Sequence, residues 1–128
     1  MKTIIVFEEE QAISNIFRVG LERLGYTVLQ AATRKEATAP AEQYQPPIHP
    51  LIADMRVRVF ACIRVAKAVT SSHPHMAVLF ISGLPPAELT QRRLMDSDVL
   101  GFPHVDFLQT PFMPWLLQQH VRELIGPP

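Results

Sequence analysis

Short, wholly apolar runs recur along this chain. Each is followed by a stretch whose apolar residues return every third or fourth position, and this alternation constrains the fold more than any other feature. A run such as Ile4-Ile5-Val6-Phe7 has no polar side, so as a strand it must be covered on both faces, as happens in a parallel sheet. Further strands are predicted at Tyr26–Ala31, Leu51–Asp54, Ala77–Ile81 and Val105–Gln109. After the first strand, Ile13, Ile16, Phe17, Gly20, Leu21 and Leu24 form the stripe of an amphipathic helix. Gly25 then stands where a helix C-cap needs left-handed backbone. Other helices are predicted from Arg34 to about Gln43, from Arg58 to Thr70, from Pro85 to about Met95, and from Pro114 through Leu117, Val121 and Leu124. Five strands each followed by a helix imply an α/β, doubly wound, five-stranded parallel sheet with helices on both faces.

Prolines mark the weak points of this pattern. An interior helical proline costs about 3 kcal/mol, so the helix holding Pro40 is expected to be short, irregular or restarted there. The PPIHP stretch at residues 46–50 is expected to be a loop, and Pro50 fits a third strand only at its first residue or at a bulge.

With 128 residues, 48% of them hydrophobic and 19% charged, the chain is expected to form one domain over residues 1–125, not a disordered segment; residues 126–128 are a tail or the start of a linker. A formal charge of zero gives no global field for nucleic acid or a membrane surface. No apolar run approaches the roughly 18 residues of a membrane span, and the N-terminus lacks the layout of a signal peptide. A single cysteine, Cys62, excludes an internal disulfide and a multi-thiolate zinc site, so a cytoplasmic protein is expected, with Cys62 as a small buried apolar residue. His73-Pro74-His75 reads as a polar turn.

Ligand sites in doubly wound sheets lie beyond the carboxyl ends of the strands. That edge gathers Glu8 and Glu9 after the first strand, Asp54 after the third, Ser82 after the fourth and Thr110 after the fifth. Three carboxylates would make an oxygen-only pocket suited to Mg²⁺, and an aspartate inside it could attack a phosphoryl group. The plainer reading of Glu8, Glu9 and Glu10 is a set of acids favoured by a helix N-terminus. Neither GxGxxG nor GxxxxGK[ST] occurs, which disfavours nucleotide binding.

At these residues the chain resembles the receiver domains of bacterial two-component response regulators, over nearly its whole length. TIIVFEEEQAI is similar to the family's first strand and acidic pair, and LERLGYTVLQAA to its first helix and second strand. LIAD puts Asp54 at the phosphoacceptor position, VLFISG puts Ser82 at the phosphoryl-sensing Ser/Thr, and FLQTPF is similar to the segment that ends in Lys-Pro-Phe. The resemblance implies the flavodoxin-like (βα)5 receiver fold, strand order 2-1-3-4-5. It also implies Mg²⁺ held, weakly, by Glu8, Glu9, Asp54 and the backbone carbonyl of Arg56, with Phe107 at the aromatic switch position and a cis peptide before Pro111. Its partners would be a histidine kinase or another signalling protein, met on the face made by the fourth helix, fifth strand and last helix. No direct nucleic-acid contact and no membrane contact are expected; a homodimer stays open.

The departures from the family's pattern are chemical. Thr110 stands in place of the lysine, uncharged and shorter. Both acids at the metal position are glutamates, one methylene longer than the usual aspartate. The Met-Pro and glycines that usually follow the aspartate are replaced by Met55-Arg56-Val57-Arg58-Val59-Phe60. Impaired phosphorylation of Asp54 in a non-enzymatic signalling module is therefore expected. A phosphorylation-competent receiver and a small flavodoxin-like enzyme or nucleotide binder remain as alternatives. Arg56 and Arg58 read as solvated, or one of them folds over Asp54 to balance three carboxylates that would otherwise raise one another's pKa. No DNA-binding or kinase segment follows, so the chain is expected to act alone or to be a piece of a hybrid kinase.

Overall fold

The computed structural model describes residues 2–43, 48–56, 58–74, 76–84, 87–88, 104–111 and 114–126. The strands are β1 (Thr3–Phe7), β2 (Thr27–Ala31), β3 (Ile48–Asp54), β4 (Val78–Ser82) and β5 (Val105–Gln109). They form one sheet in the order β2-β1-β3-β4-β5, and every neighbouring pair is parallel. The described helices are α1 (Gln11–Glu22), α2 (Arg34–Gln43), α3 (Val59–Ser72) and α4 (Pro114–Ile125). The helix expected from Pro85 to about Met95 lies largely outside the described residues.

Strand periodicity explains why the runs had to be wholly apolar. Ile5, Phe7, Leu51, Ala53, Val78 and Phe80 point to one face of the sheet and pack with Ala37 of α2 and Cys62, Ile63, Ala66 and Val69 of α3. Ile4, Val6, Ile52, Leu79 and Ile81 point to the other, against Phe17 and Leu21 of α1 and Leu117 and Val121 of α4. Each central strand therefore feeds two cores at once, and a polar residue at mid-strand positions such as Ile5, Ile52 or Phe80 would be stranded in one of them.

Two expectations about proline change. Helix α2 runs unbroken through Pro40, which removes one N–H from the ladder without ending the helix. The strand β3 begins at Ile48, so Ile48, His49 and Pro50 belong to it and not to a loop. The register with β1 moves from Thr3↔Ile48 to Ile5↔Leu51, which leaves one extra residue on β3, and Pro50 lies within that bulge.

Local chemistry closes the other corners. Gly25 takes φ 104°, the left-handed value expected of it. At the start of α2 the Thr33 hydroxyl accepts the Glu36 N–H at 3.1 Å, while a Glu36 carboxylate oxygen accepts the Ala32 N–H at 3.0 Å. At the far end of the chain, the Lys2 ammonium donates to the carbonyl of Ile125, and the Tyr26 hydroxyl donates to the carbonyl of Gly126 at 2.7 Å. The last turn of α4 is thereby tied to the start of β1 and the residue before β2.

Candidate functional site

The strand order brings the carboxyl ends of β1, β3, β4 and β5 to one edge, where Glu8, Asp54, Ser82 and Thr110 end or follow their strands. Glu8 lies one residue past β1, and its N–H still donates to the carbonyl of Ala31 at 2.9 Å. That bond extends the parallel ladder and holds Glu8 inward, only 7% exposed. Its Oε1 accepts the Glu10 N–H at 3.0 Å, but its Oε2 is buried with no hydrogen-bond donor. Burial, and then hydrogen bonding with Asp54, push the Glu8 carboxyl up from 4.5 to about 7. An ionised Oε2 without a donor is costly, so the same burial that strands this oxygen favours the protonated acid.

Asp54 ends β3, and its side chain is 6% exposed. Oδ1 accepts the Arg56 backbone N–H at 3.0 Å and the Arg56 Nε at 2.8 Å; Oδ2 accepts Nε at 3.0 Å and Nη2 as well. Burial alone would raise the pKa of Asp54. The hydrogen bonds from Arg56 and Glu8 outweigh it, and the group is held below its ordinary value. Of the two readings of the arginines, the structure has Arg56 lying over Asp54. Arg56, named above for its carbonyl, meets the acid through its side chain.

Glu9 is turned elsewhere. It is exposed, and its carboxylate faces Arg58 Nε at 3.5 Å. Glu9 thus faces Arg58, while Glu8 lies on the Asp54 side of the edge. Among the described residues no group of three histidine, cysteine, aspartate or glutamate side chains is placed to hold a metal. Mg²⁺ asks for oxygen ligands at about 2.0–2.1 Å in near-octahedral array. Here both Asp54 oxygens already accept hydrogen bonds from Arg56, and a second cation there would meet the guanidinium. With Arg56 in place the donor set does not fit the ion, because the guanidinium already supplies the counter-charge to Asp54.

The remaining positions are occupied locally. The Ser82 hydroxyl donates to the carbonyl of Leu84 at 2.7 Å and accepts the Leu84 N–H at 3.0 Å, so the group expected to sense a phosphoryl closes a turn. Thr110 donates its backbone N–H to the Ser82 carbonyl at 2.8 Å, and its hydroxyl lies 3.4 Å from the same oxygen. The peptide from Thr110 to Pro111 is cis. Phe107 stacks on Phe80 with ring centroids 5.5 Å apart, part of the packing on the α2–α3 face. Cys62 is fully buried and burial pushes its thiol up, as suits a core residue.

Sequence reasoning did not single out the pair His120 Nδ1 and Asp106 Oδ2, 2.7 Å apart between α4 and β5, because nothing in the spacing of those residues marks it.

No family model matches the chain. Solved structures do. The chemotaxis protein CheY4 of Vibrio cholerae gives a TM-score of 0.80 at 21% identity, over 98% of this chain and 99% of that one. A response regulator from Thermotoga maritima gives 0.77 at 18% identity, over 98% of each chain. A response regulator protein from Burkholderia pseudomallei, solved with a phosphorylated aspartic acid, a calcium ion and citrate, gives 0.73 at 18% identity, over 94% of this chain and 66% of that one. At these identities the likeness is one of fold: five parallel strands in receiver order, helices on both faces.

Proposed function

We propose that this chain is an atypical receiver module of two-component signalling, which works through protein contacts while its aspartate phosphorylation is impaired. The observation that carries the reading is the Arg56 guanidinium on both oxygens of Asp54. A carboxylate attacks phosphorus through a free lone pair with its negative charge available. Here the lone pairs are engaged, the charge is paired, and the side chain is nearly closed to solvent. The absent lysine compounds this. A charge-assisted contact to a phosphoryl group is worth about 1.5–3 kcal/mol, or roughly one to two decades in rate if it tightens in the transition state, and Thr110 cannot supply it.

On this reading the module has no enzymatic activity of its own. It sits in the cytoplasm, touches neither nucleic acid nor membrane directly, and meets a histidine kinase or another signalling protein on the side of β5 and α4, alone or as a homodimer.

The test is incubation with Mg²⁺ and acetyl phosphate, followed by intact mass. Slow or absent addition is expected. Rapid stoichiometric addition of one phosphoryl group, lost in Asp54→Ala, would overturn the reading and favour a competent phosphoacceptor.

A further inference from the structure

On the α2–α3 side of the same sheet edge lies a cleft of about 330 Å³ whose lining includes Glu9, Arg34, Arg58, Ala61, Arg64 and Val65. We infer that this cleft, bounded by Arg34, Arg58 and Arg64, is a binding site for a small phosphate-bearing molecule, separate from the Asp54 pocket.

Three features carry the inference. Arg58, at the N-cap of α3, and Ala61, Arg64 and Val65 of the helix line the cleft together, with the arginines on either side of a small residue, so Ala61 leaves the hollow that a larger side chain would fill. Arg34, at the first position of α2, lines the same cleft. Three arginines and one carboxylate, Glu9, line the cleft, and Glu9 pairs with Arg58. Arg34 and Arg64 have no ion pair with another described residue. Like charges gathered in one concavity repel one another, and a dianion relieves that repulsion. Guanidinium forks match phosphate oxygens two at a time.

The shape argues for a small ligand over a nucleic acid. The volume lies at the low end of the ~300–1,000 Å³ of small-molecule sites. Glu9 at its rim and the zero formal charge of the chain disfavour a long polyanion.

The experiment is a titration of the intact chain with pyrophosphate, AMP and adenosine, followed by backbone amide shifts. Saturable shifts at residues 32–34 and 58–65 are expected with pyrophosphate and AMP and not with adenosine. Arg34→Ala and Arg64→Ala should each weaken binding about ten- to hundredfold. Ala61→Leu, which keeps every charge but fills the hollow, should abolish it. Asp54→Asn should leave it unchanged, which separates this site from the pocket discussed above. The inference is overturned by shifts that fail to saturate, by equal binding of adenosine and AMP, by undiminished binding in the Arg34→Ala/Arg64→Ala double variant, or by undiminished binding in Ala61→Leu. Circular dichroism and amide dispersion of each variant confirm that a loss is not one of folding.

Discussion

Arg56 places its guanidinium across the carboxylate of Asp54, with Nε 2.8 Å from Oδ1 and 3.0 Å from Oδ2, only two residues further along the chain. The backbone N–H of Arg56 joins in at 3.0 Å, so both the peptide and the side chain of one residue hold the acid. A cation supplied by the same loop cannot diffuse away. The counter-charge to Asp54 is thus built into the fold.

Arg56→Ala should therefore do two things at once. It leaves Asp54, 6% exposed, beside Glu8 without its counter-charge. Breaking a fully buried pair costs about 3–5 kcal/mol; because the Arg56 side chain is 31% exposed, a loss of about 1–3 kcal/mol is expected. It also frees the carboxylate oxygens for an added cation. Urea melts at pH 7 with and without millimolar Mg²⁺ check both. The variant should regain part of its midpoint with Mg²⁺, while the parent protein should not respond. An equal Mg²⁺ response in both proteins would mean that Arg56 does not occupy the cation's place.

A second expectation concerns the end of α4. Tyr26→Phe deletes the hydroxyl that donates to Gly126 at 2.7 Å, and the cost should be about 0.5–1.5 kcal/mol. Because the Lys2 ammonium holds the neighbouring Ile125 carbonyl, the helix should stay folded in the single variant. In Lys2→Met/Tyr26→Phe, hydrogen exchange should accelerate at residues 122–126 and leave β3 and β4 unchanged. Uniform acceleration across the sheet would show instead that the clamp supports global stability.

Pro40 offers a third. Lacking an N–H, it cannot complete the ladder to Glu36, yet α2 continues to Gln43. Pro40→Ala restores that bond at a half-buried position and should stabilise the domain by up to about 3 kcal/mol, read from the denaturation midpoint. No gain would mean that the proline ring makes compensating contacts or restricts the unfolded chain as strongly as it weakens the helix.

Those same prolines show where sequence reading reaches its limit. The strands were legible because a residue buried on either face of the sheet must be apolar, and Ile4-Ile5-Val6-Phe7 and Val78-Leu79-Phe80-Ile81 leave little else to fold into. The sheet order followed from the resemblance those runs carry. Proline penalties, by contrast, are local, and packing decides whether they are met: Ala37 is fully buried on α2, and a bulge absorbs Pro50. At the site, the position of Asp54 at a strand end was readable, while the direction of each charged side chain was not. Arg56 and Arg58 both lie within reach of the acids. Only the backbone of the loop decides that one covers Asp54 and the other meets Glu9. The Arg34–Arg64 cleft was out of reach for the same reason, since it exists only once α2 packs beside α3.

The last expectation is a pH dependence centred on Glu8. In the folded protein its carboxyl keeps its proton up to about pH 7, whereas unfolded it releases the proton near 4.5. Between those values the folded state binds more protons, so this residue's contribution to stability is complete below pH 4.5 and is lost as pH rises through about 7. Asp54 acts in the opposite sense at lower pH. Its folded value lies below the ordinary 3.8, so its contribution is present above that and fades only as strong acid protonates it. The pocket is thus most stabilising in mildly acid solution. Glu8→Gln removes the titration while keeping an oxygen for the Glu10 N–H and placing an NH₂ donor toward Asp54. The variant should match the parent near pH 5 and exceed it by up to about 3 kcal/mol at pH 8, measured by denaturant unfolding at each pH. If parent and variant run parallel from pH 5 to pH 8, Glu8 is ionised throughout, and its protonation beside Asp54 is ruled out.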